Sequence, residues 1–260
     1  MPKILSSLGR LDRKRMAQLS REPIPDDDGI VRDDRVIGRA GDYVVVYAPF
    51  GTRPRPSAKI IFVGLTPGYQ QLAAAMKIAR EMQSLDPAVI SRELRRNVAF
   101  KGPMRKNLVL MLDDLGLPKH LGLRSTSDLF ESAEDILFAT SALLYPVFRR
   151  GRNYSGDPAI LREPLFIDML ESLLGPTLQG MPDALIIPFG RWATAAVLYL
   201  AGRGFINAAR VLGGFPHPSG ANGHRHVIFA QNARSMRKQL NHWFSRKGPS
   251  SRAVGKRRKA

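Results

Sequence analysis

The chain has no cysteine among its 260 residues. That excludes disulfides, thiolate zinc sites and cysteine-ligated iron–sulfur clusters, and makes a cytoplasmic protein the default expectation. No apolar run approaches the roughly 20 residues needed to cross a bilayer, so a membrane protein is not expected. The start, Met1-Pro2-Lys3-Ile4-Leu5, lacks the apolar centre of a secretory signal. Histidine is scarce, at five residues, and no carboxylate cluster lies beside any of them, so no metal site and no cofactor is expected. Acidic residues are also in short supply. Lys and Arg number 40 against 22 Asp and Glu, giving a formal charge of +18.

A surplus of that size favours a polyanionic partner, and nucleic acid is the commonest one. An acidic membrane surface is the rival, but no long amphipathic helix with an aromatic face supports it. Residues 246–260 hold seven basic residues and no acids, so the remainder of the chain still carries +11. Their composition is that of a disordered tail, either solubilising or a non-specific phosphate tether.

Three segments divide the chain. Residues 1–41 read as a basic helix (6–20) and a polar linker. Residues 42–245 read as one α/β domain, and 246–260 as the tail. Within the domain, strand signals fall at 42–48, 59–63, 136–144, 184–188 and 226–230. Helical periodicity covers 70–84, 87–97, 103–115, 161–174, 191–200 and 233–244. Core strands alternate with helices, which predicts a three-layer α/β/α sandwich around a central, mostly parallel four-stranded sheet. In such sheets ligands bind beyond the carboxyl ends of the strands.

Two breaker-rich segments stand out. The first is Ile60-Ile61-Phe62-Val63-Gly64-Leu65-Thr66-Pro67-Gly68. The second, about 150 residues later, is Phe215-Pro216-His217-Pro218-Ser219-Gly220-Ala221-Asn222-Gly223-His224-Arg225. In this order the pair resembles the two motifs of the uracil-DNA glycosylase superfamily. Three intervening stretches are similar to segments of that superfamily: Ala99-Phe100-Lys101-Gly102-Pro103, Ala139-Thr140-Ser141-Ala142 with Tyr145-Pro146, and Ile186-Ile187-Pro188-Phe189-Gly190. The resemblance covers about residues 58–244. It implies a monomeric, cofactor-free enzyme that flips a nucleotide out of DNA and hydrolyses its N-glycosidic bond.

The resemblance implies a role for each residue. His217 donates to the departing base, whose negative charge grows as the bond breaks. Ser219 grips a phosphate, and Gly220, Ala221, Asn222 and Arg225 enter the groove beside the flipped base. Gly64, Leu65, Pro67, Gly68, Tyr69, Phe100 and Ser141 line the base pocket, with Phe100 stacking on the base. Arg149, Arg150 and Arg152 form a basic patch near the same mouth. Each has a plainer alternative. His217 fits a turn histidine capping a backbone carbonyl, Phe100 and Tyr69 fit core or lid packing, and the arginines fit a solvated loop.

The departures carry as much information. Active uracil enzymes place Asp, Asn or Glu where this chain has Leu65 and Thr66. The Asn that reads the uracil edge is replaced by Ser141. Hydroxyls cannot copy the fixed donor–acceptor pair of an amide. Thr66 is left as a weak orienter of water. Asp157 is a substitute carboxylate, although an Asp before Pro more often makes a turn. The helical insertion between Gly68 and Phe100 adds a lid. These features point away from uracil and towards a bulkier modified pyrimidine, such as a glucosylated hydroxymethylcytosine of phage DNA, which would make this an antiviral enzyme. Repair of deaminated bases and a catalytically dead nucleic-acid-binding module are the alternatives.

Overall fold

The computed structural model describes residues 11–22, 33–50, 53–157 and 159–245. The tail 246–260 and residues 6–10 of the expected first helix lie outside them. Within them, the most apolar short run of the chain builds the centre of a parallel sheet. Ile60–Gly64 (β3) is buried at all five positions. It pairs in parallel with Leu137–Ser141 (β4) on one side and Leu185–Pro188 (β7) on the other. A strand covered on both faces needs no polar alternation, which is why it reads as a continuous hydrophobic run. Beyond β7 there is one parallel bridge, Ile186 to Val211, with the Leu212 amide donating to the Ile186 carbonyl at 2.8 Å.

The expected four-stranded parallel sheet is therefore three strands and a bridge. The run 226–230, expected as the last strand, instead opens the long helix α9, Arg225–Ser245. Val227 and Ile228 are exposed, while Ala233, Met236 and Leu240 are buried at helical spacing. A short apolar run does not distinguish strand from helix, and here the buried face further along decided the matter.

A second, antiparallel sheet was not foreseen. Val36–Ala40 (β1), Tyr43–Val46 (β2), Val147–Arg149 (β5) and Arg152–Asn153 (β6) join in the order β1-β2-β5-β6. β1 lies in the stretch read as linker. Gly38 conceals it: a Cβ there would stand 3.2 Å from the Leu165 side chain, so the strand gives up a side chain for close packing. β5 and β6 turn at Arg150 and Gly151, both at positive φ (49° and 73°), the backbone a two-residue hairpin demands.

Helices pack on both faces of β3. Its alternating side chains divide between two cores. Ile61 and Val63 join Leu72 and Met76 of α2 (Tyr69–Glu81), Phe166 of α6 (Pro164–Met169) and Val197 of α8 (Gly190–Gly202). Ile60 and Phe62 join Leu108 and Leu112 of α4 (Pro103–Asp114), Leu117 of α5 (Leu117–Leu121) and Met236 of α9. A third small cluster ties α3 (Pro87–Asn97) to α2 through Leu94, Val98 and Ala75. The single helix expected over 161–174 is α6 followed by a π-helical turn, Leu170–Leu174, and α7, Gly175–Gln179. A short α1 (Arg13–Leu19) begins at Asp12, whose carboxylate accepts from the Arg15 amide at 2.9 Å. No helix among the described residues is long and apolar enough to cross a membrane.

Candidate active site

The two breaker-rich segments are bridged by the end of β7: the Phe189 amide donates to the Val63 carbonyl and the Gly190 amide to the Phe215 carbonyl, both at 2.9 Å, while the cavity lined by Pro67 includes no residue of the second segment. β3 ends at Gly64, and the chain then runs beside the exit from β4. The Ala142 amide donates to the Gly64 carbonyl and the Leu143 amide to the Leu65 carbonyl, both at 2.8 Å. Thr66 comes next. Its hydroxyl donates to the Tyr145 carbonyl at 3.1 Å and accepts from the Val147 amide at 3.2 Å. It stitches the parallel sheet to the antiparallel one. With its proton and one lone pair committed to backbone, it is a fastening and not a water-orienting group.

Pro67 faces a cavity of about 690 Å³, whose wall also includes Phe100, Thr140 and Ser141. Gly68 stands at the start of α2, and a Cβ on it would lie 3.3 Å from the Asn153 amide. The Tyr69 amide donates to Asn153 Oδ1 at 2.9 Å. Asn153 thus fastens β6 to the first segment. Sequence reasoning gave it no role, because nothing in the pattern around it signals a partner 84 residues away. The Tyr69 ring is exposed.

Phe100 is a core residue that also lines the cavity. Its ring packs edge-on to Phe62 (centroids 6.2 Å apart) and Phe189 (5.1 Å), and it also walls the cavity. A Cβ placed on Gly64 would stand 3.4 Å from the Phe100 ring and 3.5 Å from Ser141 Oγ, so these three residues converge. Phe100 holds φ at 51°. For a bulky aromatic that is a strained backbone, costing roughly 1–3 kcal/mol, and such outliers concentrate at functional sites.

The His217 loop follows the Val211 bridge and is tied down from several sides. The Gly190 amide donates to the Phe215 carbonyl at 2.9 Å. Gly190 opens α8 at φ 79°, and a Cβ on it would come within 3.1 Å of His217 Cβ. Asn107 of α4 donates to the Pro218 carbonyl at 2.9 Å, and Asn222 donates to the His217 carbonyl at 3.0 Å. Phe189, which precedes Gly190, touches both Phe62 (5.3 Å) and Phe215 (5.5 Å) and so links the two segments.

The imidazole itself has a defined polarity. The Ser219 amide donates to His217 Nδ1 at 3.2 Å. Nδ1 must therefore carry a lone pair, and the neutral ring bears its proton on Nε2. Burial pushes the His217 pKa below the usual histidine value. Protonating Nδ1 would also set donor against donor at Ser219. The ring is a turn histidine in part, but it accepts an N–H instead of capping a carbonyl. Its Nε2–H makes no hydrogen bond among the described residues. Ser219 Oγ accepts from the Ala221 amide at 3.2 Å, which leaves the hydroxyl proton to donate elsewhere.

The charged candidates scatter. Asp157 is exposed, and its carbonyl accepts from Arg149 at 3.2 Å, while its carboxylate bonds to neither Thr66 nor His217. The Arg149 guanidinium lies 5.8 Å from the Tyr43 ring centre. Arg150 is paired with Asp42 at 2.7 Å, and Arg152 is exposed on the hairpin beside it. Arg225 folds back onto its own loop, donating to the Gly220 and Asn222 carbonyls at 3.4 and 3.3 Å. Gly220 and Ala221 are left exposed at the loop tip.

No family model matches the chain. The uncharacterized protein YoxB of Bacillus subtilis (strain 168) is 33% identical to it over 207 residues, spanning 75% of this chain and 78% of YoxB.

Proposed function

We propose that this chain, which belongs to the same family as YoxB, is a monofunctional DNA glycosylase acting on a flipped-out modified pyrimidine. The observation that carries the reading is the fixed polarity of His217: a neutral ring with Nδ1 satisfied by Ser219 and Nε2–H as the remaining donor. In the reaction the C1′–N bond breaks and its electron pair leaves with the base. Nε2–H meets the charge developing on the departing base, where a preorganised donor is worth most. Water supplies hydroxide to C1′, and its proton neutralises the base. The Ser219 hydroxyl bonds the flanking phosphate, and Phe100 offers its ring to the extruded base.

Ser141, at the place where a base edge would be read, carries a single rotatable hydroxyl. Uracil is therefore a poor substrate on this reading, and the large cavity beside it favours a bulkier pyrimidine such as a hypermodified phage base. The test is incubation with duplexes bearing uracil and a range of 5-substituted pyrimidines, followed by alkali to cut at abasic sites. Release of a modified base with little release of uracil is the expected result. Uracil released from U·G or U·A pairs as fast as any modified base would overturn the substrate assignment.

A second reading, a nucleic-acid-binding module without catalysis, is favoured by one specific observation. Thr66 is spent on backbone, and Asp157 bonds neither to it nor to His217. The same assay separates the two readings: binding to DNA with no abasic sites on any substrate supports the module.

A further inference from the structure

His217 and Ser219, the two donors of the proposed site, flank Pro218, and the backbone between them is held unevenly. Asn222 pins the His217 carbonyl at 3.0 Å. Pro218 is buried, and its ring fixes φ. What stays soft is the torsion that follows the Pro218 Cα. It turns the peptide unit that has the Pro218 carbonyl at one end and the Ser219 amide at the other. That unit is planar, and the two groups point opposite ways across it. The Ser219 N–H donates to His217 Nδ1 at 3.2 Å. The Pro218 carbonyl accepts from Asn107 Nδ2 at 2.9 Å.

Asn107 comes from outside the loop, 111 residues away in the chain. Its helix α4 is seated by Leu108 and Leu112 in the same core as Phe62 of β3. The frame of the sheet therefore reaches the peptide unit through Asn107, and the imidazole through the peptide unit. A side chain that bonds an amide two residues on makes a local contact, which a turn forms or loses easily. Half a turn of the peptide unit would swing the N–H away from Nδ1 and bring the carbonyl towards it. A carbonyl facing Nδ1 favours the other tautomer, with the proton on Nδ1 and none on Nε2. Asn107 opposes that rotation, because a part-buried amide would lose its acceptor. The two hydrogen bonds also lie in series across one peptide, so each polarises the other.

We infer that Asn107 is a positioning residue for His217: it fixes the Pro218–Ser219 peptide, and that peptide fixes the imidazole with its proton on Nε2. That the fixed proton serves a departing base rests on the glycosylase reading, whereas the tautomer itself does not.

The test pairs nitrogen NMR of the histidine rings, at about pH 8 where a histidine is neutral, with single-turnover base release and filter binding of DNA. The His217 signals are those absent from His217→Ala. The wild-type ring should be one tautomer, protonated on Nε2. Asn107→Leu keeps the bulk of the side chain and loses the donor. It should show both tautomers, or Nδ1–H alone, and release base about 10–100-fold more slowly, as for a group displaced by about an ångström, with DNA affinity unchanged. Asn107→Asp, an isostere without the donor, carries the comparison if a thermal melt shows the Leu variant unfolded. Gln239→Leu is the control, because it removes a different anchor of the same stretch, the acceptor of the Gly213 amide at 3.0 Å. It should lower Tm and leave the tautomer alone. A pure Nε2–H ring in the Asn107 variants overturns the inference. So does a mixture that Gln239→Leu reproduces, since that would report general loosening, and so does wild-type release by an Asn107 variant whose ring is mixed. Release from no duplex by the wild type overturns the glycosylase reading alone, and the spectra still decide whether Asn107 sets the ring.

Discussion

Removing the His217 imidazole is the sharpest perturbation of the proposed mechanism, because the loop does not depend on the ring for its shape. Asn107, Asn222 and the Gly190–Phe215 contact all bind backbone atoms of the loop, and they survive His217→Ala. What the variant loses is Nε2–H towards the base and an acceptor for the Ser219 amide. The first loss should cost about 10²–10³ in the rate of base release, roughly 2.7–4 kcal/mol, as for one preorganised donor. The second leaves a part-buried amide without its acceptor and should cost about 1 kcal/mol of stability. DNA affinity should hardly move, since Ser219 and the exposed tip remain. The assay is single-turnover release scored by alkali, beside filter binding of the same duplex. The pH profile adds an independent check. The folded-state pKa of His217 is depressed, so the folded protein keeps the active neutral donor when the unfolded chain, near 6.5, takes up a proton. Release should not fall on account of His217 until the pH drops below 6.5. Stability contributed by the neutral ring is present above 6.5 and is lost as pH falls from there towards the folded value. A variant within about threefold of wild type, under 1 kcal/mol, would refute the assignment. So would a rate that climbs as pH falls from 7 to 6, because that would require an imidazolium.

Two further perturbations probe the frame around the ring. Gly190→Ala places a side chain at φ 79° and 3.1 Å from His217 Cβ; it should cost about 1–2 kcal/mol, or about 2–8 °C in Tm, with a fall in base release larger than in DNA affinity, and an unchanged melt and rate would mean the two elements are not packed as described. Deleting residues 246–260, with their seven basic residues, should weaken binding to all sequences alike and flatten the dependence of affinity on salt; affinity and salt slope equal to the full chain's would make the tail a solvated end.

The parts of this molecule that were legible in its sequence are those where one segment dictates its own conformation. β3 reads as a buried strand because all of its residues are apolar, and α3 starts at Pro87 and stops at Asn97 because those residues suit helix ends. The His217 loop was legible for the same reason: Pro216, Pro218 and Gly220 leave the backbone few choices. β1 was hidden by Gly38, and β5 and β6, at three and two residues, are too short for alternation to register. The polar residues of the site failed in a different way. Thr66, Arg150 and Arg225 looked available because a sequence shows a donor without its partner. Thr66 is spent on Tyr145, 79 residues away, and Arg150 on Asp42, 108 away. Arg225 closes the very loop it was expected to project from. Formal charge therefore overstates the cations left free at this end of the molecule, where Arg150 is already paired and Arg225 is turned onto its own loop.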